Sequence, residues 1–365
     1  MFPPGSVLLC LTTVFRGRRP FSQVQVNGLF ICSSSSSPDT PSVHLEVLRG
    51  LDDFVGRNLS LLVKIEDAWQ PTDFLPDFSK EDWTSSLATL REAAKNLDDG
   101  ILVVLVGGMV TEEALPSYSM ALDGITGHRS GTSTQPWAVW TRGWTAEENR
   151  HGDLLNAYLR LTGRVDMRAI EVTIHHLLSS GFDPDAATDP YHGLIYTSFQ
   201  ERATRISHQN VAKIAGQQGD SALNKICNRI AGDEARHETF YTKVMGEVFD
   251  QNPDGAVLSF ASMMRKMIVM PGKKMFDGQD PDLFEHFSAV AQRMGVYTVD
   301  DYGQIISHLL SRWNVASRAL SGAAAQAQDY LCRQAERYTK LAERVRKTLT
   351  SQPAIEFAWL NSRTA

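Results

Sequence analysis

The chain has 365 residues, enough to bury a substantial core as one large domain or two medium ones, and its composition is ordinary for a globular protein. A net charge of −6 argues against non-specific nucleic-acid binding, which needs a basic surface. The longest apolar run, Ile101–Val106 with Gly107 to Val110 behind it, is about half of the ~20 residues a membrane span requires, so no transmembrane helix is expected.

Residues 1–38 contain no Asp or Glu, three arginines (Arg16, Arg18, Arg19) and a serine run from Ser33 to Ser37, the composition of an organelle transit peptide. A secretory signal is the rival reading, since Val7 to Phe15 is apolar, but no Lys or Arg precedes that run. Removing 1–38 moves the net charge from −6 to −9 and leaves one helical domain over 39–365. Cys10, Cys32, Cys227 and Cys332 lie far apart and offer neither a zinc ribbon nor a disulfide framework; Cys227 fits an apolar stripe.

His44 to Trp69 reads as a helix or two, interrupted by Gln70-Pro71 and Leu75-Pro76. Glu81 to Leu97 is the next helix, stopped by Asp98, Asp99 and Gly100. Leu105, Met109, Glu112, Leu115 and Leu122 then follow helical spacing, which puts Glu112 inside an apolar stripe. Pro116 has no N–H for the Glu112 carbonyl, so a local distortion is expected. Glu112 and Glu113 also read as acids complementing a helix dipole. A loop over Gly124–Thr134 leads to Pro136, a favoured first helical residue.

Beyond Pro136, Trp137, Trp140, Trp144 and Leu155 form a core stripe that also carries Glu148 and His151 inward. Gly163 and Arg164 end that helix, Met167 to Leu178 begins another, and Gly181 to Pro190 is a turn-rich link. A helix from about Leu194 to Ala215 carries Glu201, Thr204 and His208 on one face; Glu201 could instead pair with Arg205, worth only about 0.2–0.5 kcal/mol. Leu223, Ile226, Ile230, Tyr241 and Val244 make a second stripe, with Glu234 and His237 in its middle. Asn252-Pro-Asp-Gly255 reads as a turn. A Met-rich helix over about 256–269 should fill core, and helices over about 301–318 and 322–348 precede a short tail.

Glu148-Asn149-Arg150-His151 and Glu234-Ala235-Arg236-His237 agree at three of four positions. Burying a carboxylate and an imidazole costs several kcal/mol unless partners compensate, and a metal centre between the two helices is the economical compensation. Glu-x-x-His sets an oxygen and a nitrogen ligand one turn apart. Two such motifs, plus one Glu from each of two other helices, make a di-iron or di-manganese site in a four-helix bundle. Asp233 and Glu147 precede the two motif glutamates; each is either a support for a ligating imidazole or a surface acid.

The stretch 144–155, Trp-Thr-Ala-Glu-Glu-Asn-Arg-His-Gly-Asp-Leu-Leu, and 233–239, Asp-Glu-Ala-Arg-His-Glu-Thr, resemble the two metal motifs of the soluble plant-type acyl-acyl carrier protein desaturases. So do 69–77, 111–116, 196–204 and 287–297, and the likeness runs from about 43 to 359. It implies an all-α fold: a ferritin-like di-iron four-helix bundle with additional flanking helices. It also implies two irons, one held mainly by Glu112, Glu148 and His151, the other mainly by Glu201, Glu234 and His237, with Glu148 and Glu234 bridging. Thr204 would be the hydroxyl beside the centre, Asp233 an outer carboxylate, and Trp69 either the electron-entry residue or an apolar anchor. His208, His175, His176 and His308 have no ligand counterpart and read as structural or surface residues.

The implied reaction removes two hydrogens from adjacent methylenes of an acyl chain on acyl carrier protein, consuming O₂, two protons and two electrons from ferredoxin. A homodimer in the plastid stroma is implied as well. An acidic carrier calls for a local basic patch, for which Arg265, Lys266, Lys273 and Lys274, or Arg337, Lys340, Arg344, Arg346 and Lys347, are candidates. Ser117 to Gly131 is about two residues shorter than the family pattern, so a 9,10 double bond in stearoyl carrier is a default. A ferritin-like iron-binding or oxidase protein without an acyl substrate is the competing class, and the matches at 69–77 and 287–297 argue against it.

Overall fold

The computed structural model describes residues 40–123, 131–348 and 354–365. The expected transit segment and most of the 124–134 loop lie outside them. His44–Trp69 forms two short helices, α1 (Thr40–Arg49) and α2 (Asp52–Asn58), followed by 3-10 turns. Next come α3 (Trp83–Ala94), α4 (Asp99–Glu113) and α5 (Leu115–Asp123), with a 44° bend between α4 and α5. That bend sits where Pro116 removes a helical N–H, as expected.

Three long helices follow: α6 (Pro136–Thr162), α8 (Pro190–Gln217) and α9 (Ser221–Gln251), with α7 (Met167–Ser180) between the first two. At 1.5 Å per residue the long helices span about 40–46 Å. Pro occupies the first position of α6 and α8, and the side chains of Asp189 and Asp220 accept N–H groups at the starts of α8 and α9. Gly163, at φ 66°, ends α6 in the left-handed conformation that favours glycine.

The helix expected over about 301–318 stops at Arg312, ahead of a 3-10 turn at Val315–Ser317, and two further boundaries differ. Asn252-Pro-Asp-Gly255 opens α10 (Pro253–Lys266), because the Asn252 side chain accepts the Gly255 N–H and Pro253 takes the first helical position. The helix expected over 322–348 is broken at Arg333 into α13 (Gly322–Cys332) and α14 (Gln334–Thr348), with no Gly or Pro to announce it. Upstream of these lie α11 (Leu283–Arg293) and α12 (Val299–Arg312). The tail makes a two-residue antiparallel ribbon, Glu356–Phe357 with Arg363–Thr364, so the fold is all-α as expected.

The core helices neighbour one another in the order α4, α6, α9, α8, while α4 and α8 scarcely touch. Against these pack α11 on α4, α12 on α8 and α14 on α12. The apolar interior falls into two clusters. One holds Trp137–Trp144 of α6, Tyr191–Ala203 of α8 and Phe240–Phe249 of α9; the other holds Leu154–Leu159, Val211–Ala215 and Leu223–Ile230 of the same helices. Glu148 and His151, Glu234 and His237, and Thr204 and His208 occupy the interval on each helix. No single helix among the described residues is long and apolar enough to cross a membrane.

Candidate metal centre

Glu112 lies in the last turn of α4, Glu148 and His151 share a face of α6, Glu201 lies mid-α8, and Glu234 and His237 share a face of α9; all six are buried. One ligand atom from each of Glu112, Glu148, His151 and Glu234 fits within a 4.8 Å group, and a second group of the same size takes Glu148, Glu201, Glu234 and His237. Glu148 and Glu234 belong to both groups, the two positions expected to bridge.

The inward atoms crowd one another. His237 Nδ1 is 2.7 Å from Glu148 Oε1 and 3.4 Å from Glu201 Oε2; His151 Nδ1 is 3.3 Å from Glu234 Oε1 and 3.4 Å from Glu148 Oε2. Yet Glu148 Oε1, Glu234 Oε1 and both Nδ1 atoms are buried with no hydrogen-bond partner. Carboxylate oxygens and imidazole nitrogens converging in this way suit cations, and an oxygen-rich set with two imidazoles suits a pair of divalent first-row ions.

Behind the imidazoles the two motifs brace each other crosswise. His151 Nε2 on α6 is 3.4 Å from Asp233 Oδ2 on α9, and His237 Nε2 on α9 is 3.0 Å from Glu147 Oε2 on α6. Arg236 donates to both acids, at 2.6 Å to Asp233 and 2.8 Å to Glu147, and the Val63 N–H donates to Glu147 at 2.7 Å. An Nε2–H held outward leaves Nδ1 free for a metal. Both acids are thus buried supports rather than surface groups.

Trp69 is buried, donates Nε1–H to Asp233 Oδ2 at 2.7 Å and stacks at 6.1 Å on His151, with Arg150 and Arg229 over its ring. The Thr204 hydroxyl donates to Glu234 Oε2 at 2.7 Å.

Burial opposes charging His151 and His237, but Glu148 and the neighbouring acids outweigh it and hold both well above the usual imidazole value. Burial raises Glu112 and Glu201, and the charges of Glu148 and Glu234 raise them further. The metal-free cluster therefore holds protons that metal binding must displace.

Sequence reasoning missed two neighbours. Trp144, counted as core, donates Nε1–H to Glu201 Oε1 at 3.0 Å. His208, read as structural or surface, is buried with Nε2 3.5 Å from Glu112 Oε1; its place on the Glu201–Thr204 face was the available signal. His175 and His176 are exposed, and His308 is 3.2 Å from Glu238. Between α4 and α8, where the bundle does not close, lies a mainly apolar cavity of about 180 Å³ walled in part by Leu105, Glu112, Phe199, Thr204, His208 and Phe287. Met267 and Met270 line it, so not all of the methionine-rich segment fills core.

Residues 43–361 match the sequence model of the family described as fatty acid desaturase. The chain belongs to the fatty acid desaturase family. Among relatives, the stearoyl-acyl-carrier-protein 9-desaturase 1, chloroplastic, of Arabidopsis thaliana is 52% identical over 328 residues, 88% of this chain and 83% of that protein. The acyl-acyl-carrier-protein desaturase of Cucumis sativus and the stearoyl-acyl-carrier-protein 9-desaturase of Ricinus communis, both named chloroplastic, are each 51% identical over 327 residues with the same coverage.

Proposed function

We propose that the chain introduces a cis double bond into an acyl chain carried on acyl carrier protein, by default between carbons 9 and 10 of stearoyl carrier. The reading assigns it two irons, O₂ and two electrons from reduced ferredoxin. It takes the protein to be a homodimer of one domain over 39–365, working in the plastid stroma after loss of residues 1–38. The observation that carries it is the pair of buried four-ligand groups sharing Glu148 and Glu234, beside a mainly apolar cavity.

Glu112, Glu148 and His151 hold one iron, and Glu201, Glu234 and His237 the other. Zinc would serve hydrolysis, whereas this carboxylate-rich helical pairing suits a redox metal. When bound, the iron pair supplies electrons to dioxygen and the oxidising power that removes two hydrogens from unactivated methylenes. The cavity wall excludes water and lays the chain beside Glu112 and Thr204. Thr204 holds Glu234 on the cavity side. Trp69, through Asp233 and His151, gives electrons a bonded line inward.

Carrier docking falls to a groove where the two basic stretches meet. Arg265 and Lys266 of α10 face Arg333, Arg337, Lys340 and Arg344 across it, and Met267 and Tyr338 border both groove and cavity. Lys273 lines the cavity instead, Lys274 donates to the Ser180 carbonyl, Arg346 lies 3.5 Å from Asp300, and the Lys347 side chain is outside the described residues. Reversing the charges of Arg337 and Lys340 should raise the KM for the acyl carrier in a salt-dependent way, and unchanged kinetics across salt would remove the groove from the account.

The test is gas chromatography of products from purified protein given reduced ferredoxin, O₂ and acyl carriers of several lengths. A monounsaturated product from the stearoyl carrier is expected. Ferrous-iron oxidation with no product from any carrier would favour a ferritin-like oxidase instead.

A further inference from the structure

Three tyrosines in the cavity wall or bonded to it have their hydroxyls spoken for. Tyr302 accepts the Ile268 N–H at 3.1 Å, Tyr196 donates to the Val269 carbonyl at 3.1 Å, and Tyr118 donates to the Thr111 carbonyl. Tyr297 differs: among the described residues, its hydroxyl is the one buried hydroxyl left without a partner, and the residue lines the cavity. An unmet buried hydroxyl is destabilising, so its place in an apolar wall calls for a partner that arrives with the ligand.

Position narrows that partner. Tyr297 lies just before α12 and beside Tyr338, which with Met267 borders both the basic groove and the cavity. The acyl substrate of the reading above has a hydrocarbon tail and, at its carrier end, one polar function: the thioester carbonyl. Burial, then the Asp301 and Tyr338 neighbours, pushes the Tyr297 pKa far up, so the hydroxyl keeps its proton and is a donor at neutral pH.

We propose that the Tyr297 hydroxyl donates a hydrogen bond to the thioester carbonyl of the bound acyl chain and so sets which methylenes lie beside Glu112 and Thr204. This inference rests on the acyl-carrier reading. A hydrocarbon can slide along an apolar wall with little change in contact energy, whereas one directional bond at the carbonyl fixes the count of carbons to the metal. Tyr297 is thus a positioning residue for double-bond placement.

The test compares the iron-loaded full chain with its Tyr297→Phe variant on stearoyl carrier, and on an analogue whose thioester is replaced by a thioether lacking the carbonyl. Tyr297→Phe should raise the KM for the thioester about 3- to 10-fold. It should also scatter the double bond over neighbouring carbons, bind the thioether as wild type does, and melt no lower than wild type. A single product isomer with unchanged KM overturns the proposal, as does equal weakening of thioester and thioether. Should the variant not fold, anaerobic binding to wild type decides, because equal affinity for the two carriers would remove the hydrogen bond. A wild-type chain that holds iron but acts on no acyl carrier defeats the functional reading itself, a distinguishable result.

Discussion

Glu201 and Arg202 are neighbours on α8, and His237 and Glu238 are neighbours on α9, yet the inward and outward pairs end in clusters of opposite charge balance. Outward, the single carboxylate of Glu238 is met by Arg202 at 2.7 Å, Arg205 at 2.8 Å and His308 at 3.2 Å. Burial raises its pKa, but His308 and the two guanidinium groups outweigh burial and hold it below the usual glutamate value. Inward, burial and the neighbouring acids hold Glu201 well above that value, with two imidazoles among four carboxylates. One cluster finds its cations within the chain; the other leaves a deficit that protons fill and that a cation from outside could take over.

The sharpest way to break this contrast is Glu234→Ala. It removes a carboxylate common to both ligand groups, so metal content and product formation should vanish together, beyond the ~100-fold typical of losing an outer partner. Full turnover with that position emptied would refute the ligand set. Asp233→Asn and Glu147→Gln come next, each weakening metal about 10- to 100-fold in chelator competition. The Asp233 variant should in addition slow reduction by ferredoxin, because Trp69 bonds to Asp233 and not to Glu147. Equal reduction rates in the two variants would sever the proposed electron line.

Glu238→Gln should do the converse, lowering stability by about 1–3 kcal/mol in denaturant unfolding while leaving metal content intact. Metal loss there would mean that the outward cluster is no mere brace. The smallest effect concerns Asp99, a closed cluster nearer the surface, bonded by Arg164 at 2.9 Å and Arg363 at 2.9 Å. Burial raises Asp99, but the two arginines outweigh it and depress its native pKa. Its contribution, under about 1 kcal/mol at so exposed a site, is therefore present above the unfolded value near 4 and fades as pH falls through the native one. The melting advantage of wild type over Asp99→Asn should shrink below about pH 4, and one that grows on acidification would contradict this sign.

How much of the site the sequence revealed depended on what surrounds each ligand. Glu148, His151, Glu234 and His237 stood out because α6 and α9 are amphipathic, so an ionisable group on the apolar stripe is conspicuous. Glu112 also fell on an apolar spacing, but α4 is buried on nearly every face, so that spacing singled it out less. Only the family likeness chose between ligand and dipole partner. Glu201 was masked by Arg205 four residues on, yet Arg205 bonds Glu238 across to α9, a contact no single-helix rule anticipates. The crosswise bracing by Asp233 and Glu147 was equally hidden, because it depends on the register between two helices. Asn252 misled for a different reason: Asn-Pro serves a turn and a helix start alike, and only the cap geometry separates them.

The tail carries a consequence for the order of assembly. Arg363 grips Asp99 and the Arg164 carbonyl, Trp359 is fully enclosed with its indole N–H on Thr173, and its carbonyl receives the Asp166 N–H. The first turn of α4 is thus clasped by a residue 264 positions downstream. A ribosome must deliver nearly everything before that clasp can shut, and until then the Asp99 end of the rod bearing Glu112 has Arg164 but not Arg363 to hold it. Maturation of the cluster is in this sense a late event in the life of the polypeptide.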